Sequence, residues 1–154
     1  MIVPVMLLNA VSGAQQGASP LKPLALEPLP VGAITAEGWL QRQLRIQADG
    51  LSGNLENFWP DIRDSGWIGG TAEGWERAPY WLDGLVPLAW TLNEDTLKAD
   101  VKRWMDYILD HQDEDGWLGP RKSQGYRDLD PWPQFVILKV LRQYHEASGE
   151  RRVM

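Results

Sequence analysis

The chain has 154 residues, no cysteine, two histidines and a net charge of -6. That length allows one domain with a sizeable core. The acidic balance argues against a nucleic-acid partner, because phosphates are bound by Lys and Arg. The missing cysteines exclude disulfides, a thiolate nucleophile and a Cys-ligated metal from these residues.

In chain order, residues 1–14, MIVPVMLLNAVSGA, read as a signal-peptide-like segment. An apolar run from Ile2 to Leu8 extends weakly to Val11 and is too short to span a bilayer. Ser12 and Ala14 follow at signal-peptidase spacing, which predicts cleavage before Gln15 and export to the periplasm or beyond. A basic n-region is missing, so a start inside the true signal, or an unstructured tail, stands as the alternative. Residues 15–30 are rich in Pro, Ala, Ser and Gly and read as an extended lead-in.

Four helices are expected in residues 31–154. The first runs from Ala36 to about Asp49 with Thr35 as its N-cap, and Leu40, Leu44, Gln47 and Leu51 trace one face. The second, Tyr80 to Leu92, starts after Pro79, is apolar nearly all round and should be buried on every side, with Pro87 loosening its middle. The third, Asp95 to about Gln112, capped by Asn93 or Asp95, puts Leu97, Val101, Trp104, Met105, Ile108 and Leu109 on one stripe, so it is amphipathic and peripheral. The fourth begins around Pro131 to Pro133 and stops at Gly149; its apolar run from Phe135 to Leu138 predicts deep burial. No strand pattern of convincing length is present, although residues 66–70 have room for a bridge. His111 and His145 fall near helix ends, where an imidazolium meets the negative end of the dipole.

Two long aromatic, acidic loops, residues 52–79 and 113–130, separate these helices. Loops this long in a compact helical chain are functional or disordered, and Trp59, Trp67, Trp75 and Trp117 argue against disorder. Both lead into the N-termini of the buried helices and should gather on one face. Asp113, Asp115 and Gly116 lack the third oxygen ligand and the distal Glu of an EF-hand, so DEDGW is read as a tight turn with Trp117 folded back on the helices, not as a metal site.

Three strings carry a resemblance: LPVGAITAEGWLQRQLRIQADGLSGNLENFWPD, DSGWIGGTAEGWERAPYWLDGLVPLAWTL and WMDYILDHQDEDGWLGP. Over about Pro28 to Gly149 the chain resembles the opening of bacterial proteins of the glycoside hydrolase family 127 type, the β-L-arabinofuranosidase-like group. GWERAPYWLDG is much the most distinctive part, since the DEDGW turn recurs in many α/α toroids. The resemblance implies an all-α architecture in which these helical hairpins form part of an (α/α)6 barrel, followed by β-sandwich material, the chain being an N-terminal fragment of it. It further implies a cysteine nucleophile held at a zinc ion by Cys and Glu ligands in later segments; with no cysteine here, neither belongs to this chain.

Sugars present C–H faces to Trp and Tyr rings, while carboxylates and Arg bind pairs of hydroxyls. Trp67, Glu73, Trp75, Glu76, Arg77, Tyr80 and Asp83, joined by Asp128 and Trp132, are therefore the candidate substrate-binding set, with Trp81 read as core before contact. For each of them packing or helix capping is the competing role. No general acid or base is assigned, because acidic loops make coincidental carboxylate pairs easy. The expectation is an exported glycoside hydrolase portion acting on plant-type glycans, supplying sugar contacts and self-associating through apolar helix edges. A stand-alone carbohydrate-binding or interaction domain is the alternative, and an isoprenoid-type toroid a distant third.

Overall fold

The computed structural model describes residue 22 and residues 24–121 and 130–154. The signal-like segment 1–14 and Asp128 lie outside the described residues. Every regular element among the described residues is helical, and none is a strand. The helices are α1 Gly38–Asp49, α2 Leu51–Phe58, α3 Pro60–Arg63, α4 Arg77–Thr91, α5 Asp95–Asp110 and α6 Trp132–Ser148, with 3-10 turns at Gly66–Ile68 and Arg151–Val153. Among the described residues no helix is long and apolar enough to cross a membrane.

The first long loop is largely helical, which corrects its reading as irregular chain. Gly50 ends α1 and opens α2, and Asn54 Nδ2 donates to the carbonyls of Asp49 and Gly50 at 3.0 Å each, satisfying acceptors that the end of α1 leaves free. Gly53 lies so close to the Ala48 carbonyl that a Cβ has no space there. Pro60 then occupies the first turn of α3, where its missing donor costs nothing. Residues 66–70 hold a 3-10 turn in place of a bridge, capped by the Ser65 hydroxyl, which accepts from Trp67 N at 3.3 Å.

α1 also starts later than expected. Thr35 is not its cap: Gly38 at φ 59° turns the chain into the helix, and Glu37 stands at the N-cap without a side-chain bond. Its buried stripe is narrow, with Ala48 buried and Leu44 half-buried, while Leu40, Gln47 and Leu51 remain exposed. α4 begins three residues before Tyr80, because Pro79 is accommodated inside its first turn.

α4 is the centre of the molecule. Leu82, Leu85, Val86, Leu88 and Ala89 are buried between α5 on one side and α6 on the other. α5 buries Leu97, Val101, Trp104, Met105 and Ile108, the predicted stripe apart from the half-buried Leu109, and Trp104 meets Trp81 edge-on at 5.3 Å between centroids. Its N-cap is Glu94, not Asn93 or Asp95, and Arg45 of α1 binds that Glu94 carboxylate at 2.7 Å. Arg103 reaches Glu56 of α2 at 2.6 Å, so two ion pairs strap the first two helices to α5.

α4 and α6 run parallel and in register. Glu76 pairs with Trp132, Asp83 with Lys139, and Trp90 with Tyr144, each partner advancing along both helices together. α6 starts and stops as predicted, with Gly149 in the left-handed region at φ 76°. Its apolar run is not deeply buried, however. Val136 and Ile137 face α4, whereas Phe135 and Leu138, on the other side of the helix, are 64% and 54% exposed. Likewise α4 is not buried on every side, since Tyr80 and Gly84 reach solvent. At the C-terminus Arg152 folds back to Asp106 and Asp110 of α5, and its hydrogen bonds pull the Glu150 carboxyl down to about 2. His145 Nδ1 lies 2.8 Å from the Glu150 carbonyl, and His111 Nδ1 lies 2.8 Å from the Tyr107 carbonyl, so each ring serves a helix end.

Two buried indoles differ in one respect that stability measurements read. Trp67 Nε1 donates to the Trp75 carbonyl at 2.8 Å, whereas Trp104 Nε1 is buried with no hydrogen-bond partner among the described residues. Removing a donor that serves a buried acceptor leaves that acceptor unpaired, at about 1–3 kcal/mol, while removing an orphan donor relieves a cost. Trp67→Phe is thus expected to destabilise by about 1–2 kcal/mol more than Trp104→Phe in urea unfolding. Equal losses, or a larger loss for Trp104→Phe, would contradict this hydrogen-bond account.

Candidate functional site

The segment Gly74–Gly84 is positioned by Glu73. Its Oε1 accepts from Trp75 N at 2.8 Å and from Glu76 N at 3.1 Å, and its Oε2 accepts from Arg77 N at 3.3 Å. One carboxylate thus satisfies three amides that the start of α4 leaves without helical partners, and its negative charge suits the positive end of the helix dipole. Glu73 is a helix cap, with both oxygens committed, and not a free hydroxyl binder.

Asp130 does the same for α6 and links the two helix starts. Its Oδ1 accepts from Trp132 N at 3.0 Å, and its Oδ2 accepts from Trp75 Nε1 at 2.9 Å. Glu76 closes the link in the other direction, its Oε2 accepting from Trp132 Nε1 at 2.6 Å. The two indoles are held by their edges, and each ring is partly open to solvent. The starts of α4 and α6 therefore meet on one face, where Gln134 also ties α6 to the Leu118 carbonyl at 2.7 Å.

Glu76 and Arg77 form a ridge between two grooves. One, of about 560 Å³, is walled by residues 70–75 with Gly66, Pro120 and Arg121. The other, of about 370 Å³, lies over Leu51, Ser52 and Leu55 of α2 and is flanked by Trp59, Tyr80 and Trp81. Both volumes fall within the range of about 300–1,000 Å³ common for small-molecule clefts. Arg77 binds Asp61 and lies 5.5 Å from the Trp59 ring centroid, so a planar cation is fixed on the ridge. Trp81 contributes its ring to the groove wall while its Nε1 donates to the Ser52 carbonyl at 2.8 Å, so it is wall and packing at once.

The candidate residues thus separate into two groups. Trp75, Glu76, Arg77, Tyr80 and Trp132 come together around this rim and retain exposed surface. Trp67 does not: it is 1% exposed, bonded to Trp75 and covered by Gly119, where a Cβ would run into the indole ring. Asp83 points at the neighbouring helix, bound to Lys139 Nζ at 2.8 Å, and lines neither groove. Its Oδ1 is buried and has no hydrogen-bond partner among the described residues. Asp128 falls outside the described residues.

Sequence reasoning missed Trp59, Asp61 and Asp130 as rim residues. Asp130 was findable, because an Asp directly before a proline that opens a helix is an N-terminal cap signal. In the DEDGW turn, Asp113 and Asp115 both bind Arg121, whose hydrogen bonds hold the Asp115 carboxyl below the usual carboxylate range. Arg121 also lies 5.0 Å from the Trp117 ring centroid, so a protein cation already serves these two carboxylates. The zinc implied by the resemblance finds no ligand set here: the chain lacks cysteine, and among the described residues no three His, Cys, Asp or Glu side chains converge. Comparison with family models, with curated proteins and with solved structures yields no match, so the functional reading rests on the residues themselves.

If Glu73 is what starts α4, its loss has a defined cost. Glu73→Ala is expected to lower stability by about 1–2 kcal/mol in urea unfolding, with Glu73→Gln recovering part of it, as for other side-chain caps. An unchanged unfolding midpoint in Glu73→Ala would remove the capping role.

Proposed function

We propose that the rim at the N-terminal ends of α4 and α6 binds carbohydrate. In this reading the chain supplies one side of the sugar pocket of an exported α/α-barrel glycoside hydrolase acting on plant-type glycans, with β-L-arabinofuranosides the foremost substrates. Its residues contribute sugar contacts and no nucleophile. The observation that carries the reading is the cross-linked pair of indoles, Trp75 on Asp130 and Trp132 on Glu76, with the exposed ring of Tyr80 on the same end of α4. Each N–H is bonded to a carboxylate, which fixes the ring plane, and Trp132 and Tyr80 keep about half of their surface exposed for a C–H face. Stacking surfaces immobilised before the ligand arrives lose little entropy on binding. Glu76 and Arg77 beside them offer the acceptor and donors that hydroxyl pairs require.

The barrel itself is part of the proposal. Parallel α4 and α6 with α5 returning along the flank of α4 make one inner–outer–inner step of such a ring. Phe135 and Leu138 on the outer side of α6 are then the surface on which the next helix, or a second copy of the chain, packs. Export follows the apolar N-terminal pattern, and the zinc and nucleophile of such an enzyme would lie outside these residues.

Titration of the purified chain with arabino-oligosaccharides, followed by the indole N–H resonances, tests the site. Saturable shifts of Trp75 and Trp132 are expected. Trp132→Ala should weaken binding by about 1–3 kcal/mol, as for other lost stacking platforms, with the melting temperature nearly unchanged. A destabilised variant with undiminished affinity, or no saturable shift in the parent, would make the rim packing instead of site.

A further inference from the structure

At the opposite end of the molecule lies a third groove, of about 600 Å³, formed where the first turns of α5 pass the last turns of α4 and α6. Its aromatic floor is Trp90 and Tyr144, whose rings meet edge-on at 5.9 Å between centroids. Tyr144 is buried, while Trp90 keeps part of its ring open. The chain at Gly32 backs Trp90: a Cβ there would lie 3.2 Å from the Trp90 Cβ, so the indole is held from behind.

The walls are basic in a chain whose net charge is -6. Lys98 and Lys102, one helical turn apart with the small Ala99 beside them, come from α5, and Arg151 comes from the other side. Glu150 is the one acid that lines the groove, and Arg152 occupies it at 2.9 Å. Lys102 is committed to Asp106. Lys98 donates to the neutral Asn93 amide and reaches Asp95 only at 3.4 Å, an acid whose side chain is 97% exposed. Arg151 makes no ion pair with a described residue. Arg151 thus keeps a charge that no described carboxylate takes up, and Lys98 shares its charge with a single exposed Asp95, on a groove floored by aromatic rings.

We infer that this groove is a binding site for a small aromatic carboxylate, its ring on Trp90 and its carboxylate between Lys98 and Arg151. A guanidinium is suited to a planar carboxylate because its paired N–H groups match both oxygens. The ring supplies the apolar area that a bare inorganic anion lacks, and the anionic group supplies what a neutral arene lacks. The site is separate from the sugar-binding rim and does not depend on it.

The test uses the full chain and three probes: 4-hydroxybenzoate, benzyl alcohol and inorganic phosphate, each followed through the Trp90 indole and the Lys98 and Arg151 amide resonances. Saturable shifts with 4-hydroxybenzoate are expected, with benzyl alcohol and phosphate each binding at least about tenfold more weakly, since each lacks one half of the recognition. Arg151→Gln, at an exposed residue without an ion pair, should weaken 4-hydroxybenzoate about tenfold and leave the unfolding midpoint in place. Absence of saturation, equal affinity for benzyl alcohol or for phosphate, or undiminished binding by Arg151→Gln would each overturn the proposal.

Discussion

The packing of α4 against α6 is the constraint from which the rest of the molecule follows. Two parallel helices side by side align their dipoles unfavourably, so the arrangement needs compensation from burial and from specific pairs. Burial is supplied by Leu82, Leu85, Val86 and Ala89 on α4 and by Val136, Ile137, Val140 and Leu141 on α6. The pairs are Glu76 with Trp132 at the N-terminal end, Asp83 with Lys139 along the helices and Trp90 with Tyr144 at the C-terminal end. Because the helices run parallel, the chain must return between them. α5 makes that return along the flank of α4, and its Trp104 closes the core from that side.

Parallel register also decides which groups share an end of the molecule. It brings two helix N-termini to one end, and each helix start is satisfied by an acid, Glu73 for α4 and Asp130 for α6. The second oxygen of Asp130 and one oxygen of Glu76 then reach across to the indole of the opposite segment. Capping and aromatic positioning are therefore done by the same few carboxylates. At the other end the two C-termini gather with the start of α5, and the balance of charge there is reversed toward Lys98, Lys102 and Arg151.

Much of this was legible in the sequence because it depends on periodicity. The α5 stripe is a 3.6-residue pattern, and the boundaries of α6 are set by prolines at one end and Gly149 at the other. The convergence of the two loops follows from which helices they precede. The helices within residues 51–63 were hidden because they are short and their support is tertiary: Asn54 on the end of α1 and Glu56 on Arg103 are contacts no local pattern announces. Residue type alone also fails to separate a partly exposed ring from a core ring. Trp67 and Trp75 sit eight positions apart in the same aromatic, glycine-rich stretch, yet one is sealed beneath Gly119 and bonded to the backbone of the other. Asp83 and Trp81 illustrate the same limit on α4, where a difference of two positions turns one toward α6 and the other toward α5.

The in-register parallel pairing of α4 and α6 is the claim on which both ends of the molecule depend. A nuclear Overhauser spectrum of the isotope-labelled chain reads it directly. Cross-peaks are expected from the Trp132 indole proton to the Glu76 side chain, from the Trp75 indole proton to Asp130, and from the Trp90 ring to the Tyr144 ring. Contacts joining Trp132 to the Trp90 end of α4, or the absence of all three pairings in the folded protein, would contradict the account.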